Sequence, residues 1–387
     1  MLARKPGSTP VDSQPPLTAQ RADGRTGLNL LVEEATRQFA VCNSCRYCEG
    51  LCAVFPALER RTVLEAADVS QLSNLCHDCR ACYDACMYTA PHEFAINLPV
   101  ALTAVRLEDY RRFVWPVKVP RLLAGRTGVF SGAIAVAALL VGIAVSNVGW
   151  SGLVASHETA ASPYQLVPYG VLVGLMAAAL LFSVIVGIDA WRRYWGATAH
   201  AASAPHSGSI GRAVWDALIL RYLRGGGGKC FYPEDNQPSG ARRGLHLLVV
   251  GGFGLCVVST IAAAIQQDIA GEQPPYPWLS VPVISGTIGG IGLLVGCAGL
   301  LMLKARSSGV TSVAQMTVKD YGLLTALTFL ALSGLAVLLT RSTAAFGIVL
   351  LIHLAAVILA FASAPYSKLI HAVFRLAALI RDHAERA

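Results

Sequence analysis

Six stretches of the chain are too long and too apolar for a water-facing fold: residues 128–146, 168–188, 245–265, 282–303, 322–340 and 346–364. None carries a charge in its middle. About 20 apolar residues in a helix cross the hydrocarbon of a bilayer. In lipid a helix satisfies every backbone N–H and C=O within its own segment, so such stretches are read as spanning helices. Composition agrees, with 54% hydrophobic and 14% charged residues, where a soluble domain carries about 25% charged. At 387 residues the chain has room for a small soluble domain before a six-span bundle.

Charge sets the expected orientation. Lys and Arg gather before the first span (Arg111, Arg112, Lys118, Arg121, Arg126) and between the second and third (from Arg192 to Arg243). They gather again between the fourth and fifth (Lys304, Arg306, Lys319) and after the sixth (Lys368, Arg375, Arg381, Arg386). The alternate loops hold only Arg341. The positive-inside rule then puts both ends of the chain in the cytoplasm of a bacterial inner membrane. The net charge of +8, from 31 basic and 23 acidic residues, reads as orientation against membrane lipid, not as a nucleic-acid surface. The first span is not a signal peptide, because more than a hundred polar and Cys-rich residues precede it.

That preceding segment holds two identical cysteine runs. Cys42, Cys45, Cys48 and Cys52 have the spacing C-x2-C-x2-C-x3-C, and Cys76, Cys79, Cys82 and Cys86 repeat it. Three thiolates spaced this closely wrap one cubane iron–sulfur cluster. The fourth, a helical turn on, ligates the other cluster in two-cluster ferredoxins. The expectation is two 4Fe-4S clusters with crossed ligands: Cys42, Cys45, Cys48 and Cys86 for one, Cys76, Cys79, Cys82 and Cys52 for the other. Zinc sites use separated C-x2-C pairs, and disulfides need an oxidising compartment. Ala53 and Met87, not Pro, follow the fourth cysteines, so a small β-rich ferredoxin fold is not implied. Residues 1–27, rich in Pro, Ser, Thr and Gly, read as disordered. Residues 28–40 show helical apolar spacing that ends at the first run, and 58–75 read as helical with a break near Asp68. The division is therefore a cluster domain at 28–110 and a membrane domain at 111–387. The cytoplasmic loop 189–243 of the membrane domain carries a short helix near 212–224.

Of nine histidines, three fall on spans or their ends: His246, His353 and His371. Ionisable groups in membrane are functional candidates. His353 and His371 are 18 residues apart, five whole turns, so on one straight helix they share a face about 27 Å apart. That spacing suits two haems, one near each membrane surface, although Pro365 between them is a kink site. His246 lies level with His371, and the two together are candidate axial ligands of a b-type haem on the cytoplasmic side. Arg242, Arg243 and Lys368 stand beside them as candidate propionate partners. A second, outer haem on His353 needs another ligand, for which only His157 is on the right side. No C-x-x-C-H occurs, which excludes covalent c-type haem. Cys256 and Cys297 read as packing residues. The run at 225–229 lacks the spacing of a phosphate-binding loop. The glycines of the fourth span, Gly286, Gly289, Gly290, Gly292 and Gly296, read as a helix-packing face.

The stretches RYCEGLCAVFPALERR (46–61), LCHDCRACYDACMYTAPHEFAIN (75–97) and RYLRGGGGKCFYPEDNQPSGARRGLHLLVVGGF (221–253) resemble the tricarballylate/citrate utilization protein B family. Residues 282–301 and the closing IHLAAVILAFASAPYSKLIHAVFR also match it. More distantly the chain resembles cytochrome b subunits of nitrate and heterodisulfide reductases. Leu247 stands where the family places a second histidine after the one matching His246. The resemblance implies an all-α, cytochrome b-like electron-transfer protein of the inner membrane. It would reoxidise the flavin of an FAD-dependent partner, tricarballylate dehydrogenase, and pass electrons to quinone. From the residues alone, no nucleophile–base pair or dinucleotide fingerprint accompanies the clusters, so substrate oxidation falls to a partner. Two other readings stay open: a quinol-linked subunit of a heterodisulfide-type reductase, running electrons the other way, and a redox-sensing membrane protein.

Overall fold

The computed structural model describes residues 27–116, 126–156, 159, 161–199, 206–224, 230–231, 238–307 and 309–386. His157, residues 225–229 and the segment expected to be disordered, up to 26, lie outside the described residues.

The cysteine-rich domain is built from five helices. α1 (Gly27–Cys45), α2 (Val54–Glu59), α3 (Ala66–Leu75), the single turn α4 (Ala81–Asp84) and α5 (Leu98–Phe113) follow in order. α1 does not stop at the first run as its apolar spacing predicts. It continues through Cys42 and Cys45. The break expected near Asp68 lies earlier, between Glu59 and Ala66. Asp68 instead starts α3: its carboxylate accepts the Glu65 backbone N–H at 2.9 Å, and Glu65 returns the bond in a capping box. Asn97 caps α5, accepting from the Val100 N–H, with Pro99 in the first turn.

Six long helices follow, matching the six expected spans and extending most of them: α6 (Arg126–Leu153), α8 (Tyr169–Ala197), α10 (Ala241–Asp268), α11 (Val281–Ala305), α12 (Ala314–Thr340) and α13 (Phe346–Ser363). All six are long and apolar enough to cross a membrane, and only 6–28% of each span's core window is buried by protein. Surfaces this bare of protein cover are stable only with lipid as their solvent, so the chain is a multi-pass membrane protein. α6 is kinked at Gly149, whose φ of 69° needs glycine. The short α7 (Ser162–Leu166) joins α6 to α8 on the far side. α10 and α11 pack so closely that a Cβ on Gly252 would sit 2.7 Å from the Gly289 carbonyl, and one on Gly296 2.8 Å from the Leu245 carbonyl. The glycine face of the fourth span thus serves helix packing, as expected.

Three segments carry the cysteine domain on the bundle. The first is α9 (Ser207–Leu218) with a 3-10 turn Arg221–Arg224, in place of the one helix expected over 212–224. Two-residue strands β1 (Cys230–Phe231) and β2 (Pro238–Ser239) pair antiparallel before α10. The second is the loop between α11 and α12: Asn97 Nδ2 donates to the Val310 carbonyl at 2.9 Å and Arg80 to Ser312 Oγ at 3.1 Å. The third is α14 (His371–Glu385). The expectation of one straight helix from His353 to His371 fails here. α13 ends at Ser363, two 3-10 turns occupy Ala364–Tyr366 and Lys368–Ile370, and Ser367 between them is extended. Pro365 cannot donate to the helix ladder, so α14 leaves the direction of α13 and lies along the cysteine domain. Its Ala378, Leu379 and Ile380 share one apolar core with Ala35, Phe39, Leu58, Leu72 and Leu102. The two histidines therefore share no helix face.

Candidate metal centre

The eight cysteines are all free thiols and they line two adjacent cavities. One, about 460 Å3 including its open mouth, is walled by Cys42, Cys45, Cys48 and Cys86 together with Cys82, which also lines the other. The other, about 370 Å3, is walled by Cys52, Cys76, Cys79 and Cys82. Each run thus sends its fourth cysteine into its neighbour's cavity. Two turns make this possible. Arg46, after the second cysteine of the first run, has φ 53°, and Arg80, at the same place in the second, has φ 64°. Both are left-handed, reversing the chain so that the third thiol returns to the first two.

Among the described residues, no three His, Cys, Asp or Glu gather tightly enough to hold a single ion. The thiols instead stand around cavity walls, a donor set that fits a polynuclear cluster better than one zinc. Burial pushes the Cys42 thiol up to about 12 and Cys48 to about 11, with the other thiols of the cavity adding to the rise. Burial likewise holds the Cys52 and Cys82 thiols well above the ordinary thiol value. Such thiols ionise when a metal supplies the positive charge that water does not. All eight residues fit the group the spacing predicts.

Behind the second cavity stands a layer of buried bases. Arg106 on α5 and Arg375 on α14 both donate to the Cys76 carbonyl, Arg375 at 2.8 Å. Arg242, at the start of α10, donates to the carbonyls of Asp78 and His77. His77 is 5% exposed, bonds the Leu75 carbonyl at 2.7 Å and packs against Tyr222. His246 follows Arg242 by one helical turn, and Arg375 follows His371 by one turn. Each helix thus offers an arginine to the cysteine loop and, about 6 Å deeper, a histidine.

His371 and His246 lie within electrostatic reach of one another, and burial, with Arg375 and Lys368 beside it, holds His371 well below its ordinary value. A neutral His371 has its Nδ1 at 2.6 Å from the Lys368 carbonyl, which orients the ring and leaves Nε2 as a lone-pair donor. Metal-bound histidines commonly have such an anchor. His246 Nδ1 is buried with no partner. His371 therefore fits an axial ligand with its support in place, and His246 fits by position. His353 is elsewhere: its Nδ1 is 3.0 Å from Ser333 Oγ on α12, against the Gly334 step.

The three cations expected to serve a cofactor have protein partners. Arg243 donates to the Ile219 carbonyl at 2.7 Å. Lys368 pairs with Asp320, which also pairs with Lys304 at 2.6 Å, and burial still pushes Lys368 down to about 8. Arg242 serves the cysteine loop. Sequence reasoning missed Arg106, Arg375 and His77. Arg106 left one visible sign, a lone charge within the otherwise apolar start of α5, LPVALTAVRL.

Family models for Citrate utilization protein B and for its Fer4-like domain match residues 126–387 and 35–112. Citrate utilization protein B of Escherichia coli is 37% identical over 348 residues, covering 90% of this chain and 91% of that protein. No solved structure matches the chain.

Proposed function

The chain belongs to the citrate utilization protein B family, and we propose that it is the membrane partner of an FAD-dependent dehydrogenase, taking that enzyme's electrons and delivering them to quinone. The donor proposed is a tricarballylate- or citrate-linked flavoprotein, in keeping with the family's name. One arrangement carries this reading: two thiol cavities that exchange their fourth cysteine, with paired histidines one helical turn below the second. The residues proposed to hold two 4Fe-4S clusters are Cys42, Cys45, Cys48 and Cys86, and Cys76, Cys79, Cys82 and Cys52. His246 and His371 are proposed as axial ligands of one b-type haem. A second haem on His353 would need a further ligand. Clusters and haem, when bound, supply one-electron carriers between a two-electron flavin and a lipid-soluble acceptor.

The chain's own residues supply the rest. Apart from the exposed Cys45, the thiols are half-buried or buried, which limits solvent at the carriers they would hold. Two imidazoles leave no open coordination position, which suits electron transfer over oxygen chemistry. The charge bias of the loops supports a cytoplasmic cysteine domain in a bacterial inner membrane. The test is the purified protein's iron and sulfide content with its reduced-minus-oxidised spectrum. About eight irons in cluster form and a b-type α-band are expected, the band falling in both His246→Ala and His371→Ala. Zinc in place of iron, or a full haem signal in both variants, rejects the reading. Quinone reduction that follows addition of the reduced flavoprotein fixes the partner class.

A further inference from the structure

The two cavities differ in the charge around them. Arg106 is 4% exposed, and its Nε and that of Arg375 are buried with no partner. Their remaining bonds go to the Cys76 carbonyl and, from Arg106, to Thr103 Oγ1 at 2.6 Å. Neither forms an ion pair among the described residues. The acids that act on Arg106 from a distance are Asp78 and Asp320, and Asp320 is already shared by Lys304 and Lys368. A buried guanidinium without a carboxylate is costly unless another negative group stands by. The Cys76 thiol of the second cavity acts on both guanidiniums and is such a group when ionised. Among the described residues, the lining of the first cavity holds no arginine or lysine. Arg46 is exposed, and its guanidinium donates to the Asn43 carbonyl at 3.1 Å.

We propose that Arg106 and Arg375 set the second centre's reduction potential above the first's, and so direct electrons from the exposed cavity toward the membrane. The proposal rests on the cluster assignment above. A cluster bound by four thiolates carries net negative charge, and reduction adds one more. Fixed positive charge nearby stabilises the reduced form and raises the potential. One electron leaves the first centre and one enters the second, with no bond made or broken. The electron originates in the reduced flavoprotein and ends on the carriers at the membrane boundary. Arg106 and Arg375 touch the backbone of a ligand and not the reacting atoms, so they are positioning residues.

The experiment is a redox titration of the full chain in detergent, followed by EPR, with the two signals assigned by Cys42→Ser and Cys76→Ser. In the wild-type protein the second centre should titrate higher. Arg106→Gln should lower its one-electron reduction constant about tenfold, or about 59 mV, with the first centre unmoved. Arg375→Gln should shift it the same way. Arg106→Lys keeps the charge and should recover most of the shift. Arg60→Gln removes a guanidinium already paired with Asp382 at 2.5 Å and should move neither centre. A second centre that titrates below the first, or that is unmoved in both glutamine variants, overturns the proposal. Both clusters present with unmoved potentials defeats this inference alone, and absent cluster iron in the wild-type protein defeats the cluster assignment with it.

Discussion

The first cysteine run and the second have one spacing and two settings. The first lies at the rim of the molecule: Cys45 and Arg46 are exposed, and Tyr47 is 67% exposed. The second lies inside, with Cys79 7%, His77 5% and Arg80 6% exposed. α1 carries the first two cysteines of its run on helix, whereas α3 ends at Leu75 and Cys76 turns extended. The second run is also framed from behind. α3 is fixed to α5 by Asp109, which accepts from Ser70 at 2.9 Å and Asn74 at 2.7 Å. It is fixed to α14 through Arg61, which donates to Asp68 at 2.5 Å, Gln71 at 2.9 Å and Glu385 at 2.9 Å. The difference teaches that spacing gathers the thiols, while distant parts of the chain write the electrostatics around them.

Crossing of the runs is the sharpest place to break this comparison. Cys86→Ser should remove the signal of the exposed centre and Cys52→Ser that of the buried one, each with about half the cluster iron. If each serine removes the centre of its own run, the shared-cavity picture falls.

Next in size is the frame. Arg61→Ala removes the buried guanidinium that Asp68 and Glu385 share, leaving Glu385 only the longer pair with Arg60 at 3.4 Å, and should cost about 3 kcal/mol, read as earlier thermal loss of the second centre. Arg37→Ala, which breaks an exposed pair with Glu34 on α1, should cost about 0.5 kcal/mol or less. Equal losses would erase the contrast between frame and rim.

The pH response is smaller. Burial lifts the Asp109 carboxyl to about 7 against the bonds from Ser70 and Asn74. The folded chain then keeps a proton that the unfolded chain releases near pH 4. The stability from this group is full below that pH and is lost as pH rises through about 7, a change of roughly 2–4 kcal/mol. Asp109→Asn should flatten unfolding midpoints between pH 5 and 7.5. An unchanged slope rejects the assignment.

The smallest effect compares like with like. Arg46→Gly relieves a left-handed residue at the rim and should stabilise the loop by up to about 1 kcal/mol. Arg80→Gly relieves the same strain but loses the bond to Ser312, and should come out destabilising by about 1 kcal/mol. Slower iron loss in the first and faster in the second is the expected pair of results.

The spans and thiols were legible in the sequence because each obeys a local rule. Lipid demands about 20 apolar residues in a row, and a cubane's corner demands a fixed loop. Pro365 was legible as a kink, but not the direction α14 takes, since that depends on where Ala378 and Leu379 find a core. The arginine layer was hidden for a related reason. Arg242 and Arg375 look like ordinary inner-side charges, and only the fold shows Arg375 joining Arg106 at the Cys76 carbonyl and Arg242 at the carbonyls of His77 and Asp78. The Arg-x3-His of α10 and the His-x3-Arg of α14 are visible in the sequence once their meaning is known.

The packing of α14 on α3 also sets an order of events in time. The core around Phe39 and Leu72 lacks one wall until residues 378–380 exist. That wall is synthesised roughly 250 residues after α5, or about 10–50 s later at ordinary elongation rates. By then all six spans have been synthesised. The cysteine domain closes only on a chain whose membrane half has already been made. Its completion is therefore a built-in report that the membrane half has been made, and a chain truncated before α14 would display an open, apolar, thiol-rich surface to the cell's proteases.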